Sequence, residues 1–254
     1  MGDLVRVERD PDAPVATITL NRPGKRNALS SALIGELKAA YDEVLDVDDV
    51  TCVVLTGADP AFCAGMDLEE LGAGGSNLGL DFFRRLWDTS TPVIAAVNGV
   101  AATGGLELAL ACDMIVASEN ARFVDTHVRV GVVPGAGMSV LWPAILGIRK
   151  ATELSLAGRP LSAADAERYG LVNEVVPHDD LMPAALGLAR EIAANDAAMV
   201  KQMNRLFKDH ARLPVSEALA HESANFAEFR SADLDPAEVE ARRAAVIARG
   251  RSQR

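Results

Sequence analysis

The sequence predicts an α/β fold on three observations. Thr51–Thr56, Pro92–Val97 and Asp113–Ala117 are continuous apolar runs of strand length, the pattern of strands buried on both faces. Segments with apolar residues at helical spacing alternate with them, which belongs to an α/β architecture. The 254 residues, 49% hydrophobic against 24% charged, are enough to bury a sizeable core in one large domain with a helical appendage, and they exclude disorder as the main state.

Taken in order, Val15–Leu20 reads as a short strand, and Asn21-Arg22-Pro23-Gly24 is turn chemistry. A helix follows, capped by Ser30 or Ser31, with Leu33, Ile34, Leu37, Ala40, Tyr41, Val44 and Leu45 recurring on one face. The Gly-rich stretch Leu71–Asn77 reads as a mobile surface loop, with a helix near residues 79–89 after it. A further helix is expected to start at Gly104-Gly105. The strand signal stops after Leu171–Val176, and residues 178–248 read as successive helices interrupted at Pro183, Pro214 and Pro236. We therefore expect a core over residues 1–195 and a helical C-terminal region over 196–254.

Charge narrows the partners. With 25 Lys+Arg against 36 Asp+Glu the formal net charge is −11, which argues against a general nucleic-acid binder because phosphate neutralisation needs a basic face. Cys52, Cys63 and Cys112 form no Cys-x-x-Cys pair, so neither a disulfide framework nor a structural zinc site is suggested, and a reducing, cytoplasmic setting fits. The chain shows neither a signal-peptide pattern nor an apolar stretch approaching ~18 residues, so no membrane association is expected. His127, His178, His210 and His221 lack metal-ligand spacing, and no metal is expected.

Two glycine-containing loops each follow a buried strand: Ala61-Phe62-Cys63-Ala64-Gly65-Met66-Asp67, and Asn98-Gly99-Val100-Ala101-Ala102-Thr103-Gly104-Gly105. The glycines have two readings. One is tight helix-on-sheet packing; the other is a pair of backbone N–H donors aimed at one point, an oxyanion hole. The second loop opens a helix, whose unpaired first-turn amides and dipole favour an anion. Glu107, in that first turn, is either a cap partner or a general acid/base. His127, in Arg122-Phe123-Val124-Asp125-Thr126-His127-Val128, is either a satisfied core or surface histidine or a proton-transfer group suited to neutral pH. Lys25, Arg26, Arg84 and Arg85 are by default solvated charges, and alternatively phosphate contacts. Gly135-Ala136-Gly137 lacks the third glycine of a dinucleotide fingerprint, and the phosphate-binding-loop and serine-hydrolase motifs are missing.

Several of these segments together resemble the crotonase superfamily, the enoyl-CoA hydratase/isomerase group. They are Asn21–Leu29, Ala61–Leu68, Pro92–Gly99 with Gly104-Gly105-Leu106-Glu107, Cys112-Asp113, and Gly131-Val132-Val133-Pro134-Gly135, in the family's order and spacing, within a match from about residue 4 to about residue 230. The resemblance implies a spiral of ββα units, a helical C-terminal region that takes part in trimerisation, and a homotrimer or dimer of trimers. It implies an acyl-CoA thioester as substrate, with coenzyme A part of that substrate and no separate cofactor. By the family pattern the amides of Met66 and Gly104 form the oxyanion hole. The backbone around Ala28, Ala64 and Leu68 holds the adenine, Lys25 or Arg26 approaches the phosphates, and Asp67 falls among the same substrate-binding positions.

In the family's hydratases two glutamates share one water. Glu107 matches the first, and the second position holds His127, a departure that counts against ordinary double-bond isomerase activity. The expectation is an enoyl-CoA hydratase with Glu107 and His127 as its acid/base pair. The alternatives are another enolate reaction on an acyl-CoA, such as hydrolysis, decarboxylation or retro-aldol cleavage, and a catalytically weak acyl-CoA-binding protein. Dehalogenase members carry an aspartate nucleophile close to where Gly135 stands here, which sets dehalogenation aside. The phenylalanine-free ending from Ser231, with Arg242, Arg243, Arg249, Arg251 and Arg254, departs from the family pattern in the neighbour-subunit part of the coenzyme A pocket. Phe82, Phe83, Leu86 and Trp87 either shape the acyl pocket or are plain core.

Overall fold

A computed structural model describes residues 4–73 and 79–230, together with Glu240, Arg243 and Ile247. The chain divides into two units, Met1–Arg205 and Leu206–Arg254.

The first unit opens with a hairpin, β1 (Val5–Arg9) and β2 (Val15–Leu20), paired antiparallel from Val5 opposite Leu20 to Arg9 opposite Ala16. Ser30 then caps α1 (Ser31–Val44), its hydroxyl accepting the Leu33 N–H at 3.2 Å, and the apolar stripe from Leu33 to Val44 is buried.

A repeating pattern follows, in which a long buried strand leads to a short strand and then a helix. The first repeat is β3 (Cys52–Gly57), β4 (Ala61–Cys63) and α2 (Leu68–Gly72), with α3 (Asp81–Asp88) after it. The second is β5 (Val93–Val97), β6 (Val100–Ala102) and α4 (Gly104–Ala111). The third is β7 (Met114–Ser118), β8 (Arg122–Val124) and α5 (His127–Val130). Next come α6 (Met138–Leu146), α7 (Ile148–Ala157), β9 (Leu161–Ser162), α8 (Ala163–Arg168), β10 (Glu174–Val176), α9 (Leu181–Ala193) and α10 (Ala197–His210). The helix α11 (Val215–Arg230) lies in the second unit.

The long strands form one sheet in the order β1-β2-β3-β5-β7-β10, and the short ones a second sheet in the order β4-β6-β8-β9. Within the first, β3, β5 and β7 run parallel, Val53 facing Val93 and Ile94 facing Met114. Alternate residues of these strands enter two different cores. Val53, Leu55, Ala95 and Val97 pack with Leu37, Leu86 and Leu106, whereas Val54, Ile94, Ala96 and Val116 pack with Leu181, Ala185 and Ala189 of α9. Double-sided burial is why these strands read as continuous apolar runs, each fully buried Val, Leu or Ile contributing about 1.5–3 kcal/mol.

The structure departs from the sequence reading in places. Pro183 does not interrupt a helix; it sits in the first turn of α9, where a missing N–H costs nothing. The strand expected over Leu171–Val176 is confined to Glu174–Val176, with Leu171 and Val172 buried ahead of it. Leu71 and Gly72 close α2 rather than starting a loop, while 74–78, Pro236 and most of the arginine-rich ending lie outside the described residues. Among the described residues no helix is long and apolar enough to cross a membrane.

Candidate active site

The turns after β4 and β6 bring two backbone segments together. Leu29 forms a parallel bridge with Met66, its N–H donating to the Gly65 carbonyl at 2.8 Å and its carbonyl accepting the Asp67 N–H at 3.0 Å. In such a bridge the central residue's own amide points away, so the Met66 N–H is turned out of the pairing. Gly104 opens α4, and its first-turn N–H has no intrahelical acceptor. Gly65, at φ +94°, lets the segments touch: a Cβ there would stand 2.8 Å from the Ala102 carbonyl oxygen and 3.3 Å from the Gly104 nitrogen. Gly105 is constrained more tightly, since its Cβ would fall 2.0 Å from the Cys63 carbonyl oxygen. Burial pushes the Cys63 thiol up to about 12, leaving it an inert packing group.

Thr103, between β6 and α4, holds φ +52° and ψ −109°, a conformation that favours glycine. Its surroundings fix it there. The Thr103 N–H donates to the Val124 carbonyl at 2.9 Å, its hydroxyl is hydrogen-bonded to that of Thr126, and the Thr126 N–H donates to the Thr103 Oγ1 at 3.3 Å. The turn before Gly104 is thereby tied to the turn before His127.

Glu107 and His127 are both buried, at 4% and 5% exposure. Glu107 Oε1 accepts the Ala136 N–H at 2.9 Å, and Oε2 faces His127 Nε2 at 3.8 Å. On the other side of the ring, Nδ1 lies 2.6 Å from Asp125 Oδ1, and the same oxygen accepts the His127 N–H at 3.0 Å. Burial pushes the Asp125 carboxyl up, but the bonds from His127, with the Ser155 side chain acting the same way, outweigh it and hold the group below its ordinary value. A cavity of about 270 Å³ gathers Met66, Gly104, Glu107 and His127, with apolar lining from Leu80, Phe83, Val130 and Val133 among others.

Residues 10–239 match the enoyl-CoA hydratase/isomerase family. A probable enoyl-CoA hydratase of Mycobacterium tuberculosis is 40% identical over 233 residues, 88% of each chain. The short-chain-enoyl-CoA hydratase of Clostridium acetobutylicum is 36% identical over 239 residues, 91% of this chain and 92% of that one. The chain belongs to the enoyl-CoA hydratase/isomerase family. Solved structures place it there as well. The crystal structure of an enoyl-CoA hydratase from Mycobacterium tuberculosis superposes with TM-score 0.77 at 44% identity, covering 91% of this chain and 100% of that one. One from Geobacillus kaustophilus gives 0.84 at 33% identity, covering 90% of each. The ββα repeat is thus the crotonase-type spiral expected from the motifs.

Of the positions that the family pattern assigns to the acyl-CoA, the cavity collects Ala64, Met66, Leu68 and Gly104 but not Lys25, Arg26, Ala28 or Asp67. Lys25 Nζ pairs with Glu69 at 2.6 Å on the surface, and Arg26 is exposed in a left-handed turn at φ +50°. The Ala64 N–H donates to the Arg26 carbonyl at 3.0 Å, and the Ala28 carbonyl accepts from Arg22 Nη1 at 3.1 Å. Asp67 is committed to structure: it accepts from Arg22 Nη1 at 2.6 Å and caps α2 through the Glu69 and Glu70 amides. The Arg22 guanidinium, then burial acting the other way, then these amides set its carboxyl, with a net effect below the ordinary value. Arg85 likewise binds Asp46 at 2.7 Å instead of standing free. Phe82, Phe83 and Leu86 are buried core, and Phe83 also faces the cavity. Sequence reasoning missed Asp125, Thr126, Ala136 and Ser155; an acid two residues before a histidine was the available signal for the first.

Proposed function

We propose that this protein is an enoyl-CoA hydratase that adds water across the double bond of a 2-enoyl-CoA. The observation that carries the reading is the buried Glu107–His127 pair, 3.8 Å apart, in the same cavity as the first-turn amide of α4. The thioester oxygen sits against the Met66 and Gly104 N–H groups, which take the negative charge as the enolate forms; each such donor is worth about 3–4 kcal/mol in a comparable site. The two side chains present two facing acceptors, a seat for one water whose O–H bonds each find a partner. The water oxygen bonds to the β-carbon as the Glu107–His127 pair takes one of its protons, and the enolate collapses as the pair gives that same proton to the α-carbon, so that water's OH and H are both accounted for and the pair returns to its starting state. Addition of water needs no redox group, and coenzyme A arrives with the substrate.

Coenzyme A lies along Ala64 and Leu68, with Lys25 and Arg26 near its phosphates and Ala28 and Asp67 shaping the turn that carries them. The chain acts as a homotrimer or dimer of trimers; exposed apolar side chains such as Val128, Val133, Val140 and Ile148 support an assembly. Cys52, Cys63 and Cys112, none of them in a disulfide, suit a reducing cytoplasm. Loss of enoyl-thioester absorbance when protein is added to crotonyl-CoA and to a longer 2-enoyl-CoA tests the activity. Binding of the CoA ester without turnover would reject hydration in favour of another enolate reaction or a binding role.

A further inference from the structure

We propose that Asp125 is a positioning residue that fixes the ring of His127 with its proton on Nδ1 and its bare Nε2 toward Glu107. The proposal rests on the reading of Glu107 and His127 as the acid/base pair. Asp125 follows β8 directly, is 5% exposed, and meets both the backbone N–H and the Nδ1 of His127 with one oxygen. Satisfying the backbone amide alone needs only a short hydroxyl, which forms the same two-residue turn without the desolvation cost of a charge. The shorter contact, at 2.6 Å, is the one to the ring.

The hydrogen-bond inventory then decides the tautomer. An ionised carboxylate can only accept, so Nδ1 must carry the proton, and a neutral ring leaves Nε2 with its lone pair exposed. That lone pair faces Glu107 Oε2 at 3.8 Å. Burial works against the ionised carboxylate, while the His127 bonds and the Ser155 side chain on α7 favour it. Asp125 thus does for a histidine what packing alone does for a carboxylate: it sets which atom meets the water. Asp125 and Glu107 are the charged groups against the ring, since Arg129 on α5 turns to the Ala157 carbonyl at 3.1 Å.

The deciding variant is Asp125→Ser, which keeps an acceptor for the His127 amide but cannot reach Nδ1. Two readouts are taken on the full chain: ¹⁵N spectra of labelled histidine, with His127→Ala assigning the signal, and hydration kinetics on crotonyl-CoA. At a pH where the ring holds one proton, the parent shows the Nδ1–H form and Asp125→Ser a mixture. We expect kcat to fall about 10²-fold with KM little changed, the low end for general acid/base catalysis. The fall vanishes when His127 is already alanine, and Asp125→Asn, whose carbonyl can still accept from Nδ1–H, recovers part of the rate. An unchanged tautomer, an unchanged kcat, or the same fall in the His127→Ala background overturns the proposal. If the parent hydrates neither substrate, the hydratase reading fails and the tautomer alone decides the role of Asp125. If Asp125→Ser does not fold, Asp125→Asn is measured with and without His127→Ala: a fall only when His127 is present supports the role, and equal rates or equal falls reject it.

Discussion

His127 Nε2 and Glu107 Oε2 face each other across 3.8 Å, although the residues that carry them belong to different repeats of the fold. Each is held from behind, Glu107 by the Ala136 amide and His127 by Asp125. Neither side chain is free to swing away from the gap.

Glu107→Gln keeps the shape and the Ala136 contact but cannot take a proton. Turnover of crotonyl-CoA should fall by at least about 10²-fold, while the affinity for a CoA ester by calorimetry stays within a few-fold of the parent. His127→Ala should cost at least about 10²-fold by the same assay. A loss below about 3-fold would return His127 to a packing role.

Gly65→Ala tests the donor pair without touching either acid/base group. A methyl at φ +94° and 2.8 Å from a backbone oxygen must push the Met66 segment away from Gly104. We expect kcat to drop about 10²–10³-fold, as when one oxyanion donor is lost. Parental kcat in a folded Gly65→Ala protein would exclude the Met66 amide from the oxyanion hole.

Thr103 separates backbone strain from hydrogen bonding. Thr103→Gly relieves an unfavourable φ, a cost of order 1–3 kcal/mol, but gives up the bonds to Thr126, so denaturant unfolding should find it within about 1.5 kcal/mol of the parent. Thr103→Val retains the strain and loses the hydroxyl. It should be less stable than Thr103→Gly by about 1 kcal/mol or more, and the reverse order would deny the hydroxyl a structural role.

The Arg22–Asp67 pair predicts an acid-sensitive component of stability. Because the Asp67 carboxyl is held below its ordinary value in the folded protein, its contribution is complete above the unfolded value, 3.8, and is lost as pH falls through the folded one. Asp67→Asn should therefore unfold more readily than the parent at neutral pH, by about 1 kcal/mol, and the gap should close as the pH falls below 3.8. A gap independent of pH would assign the loss to capping geometry rather than charge.

Burial decided what could be read before the structure. β3, β5 and β7 were legible because both faces are covered and their sequences are apolar throughout. β4, β6, β8 and β9 were not, because strands of two or three residues carry no period. Glu107 stood out through Gly104-Gly105 at a helix start, where chemistry and position coincide in a few residues. Asp125 did not, since its contact depends on a turn that folds its carboxylate back onto a ring two residues ahead. Arg22 and Asp67, 45 residues apart, meet only once β4 is in place.

The pairing of β6 with β8 sets Ala102 opposite Val124, so Thr103 with Gly104 and Thr126 with His127 leave the same end of one ladder. The gap between Glu107 and His127 thus inherits the tolerance of a strand register, in which the smallest possible error is a step of about 3.3 Å and every side chain changes face. Leu80 and Phe83, which line the same cavity, are carried by another part of the chain. Substitution along that wall can change the shape of the cavity while Glu107 and His127 stay where the ladder puts them.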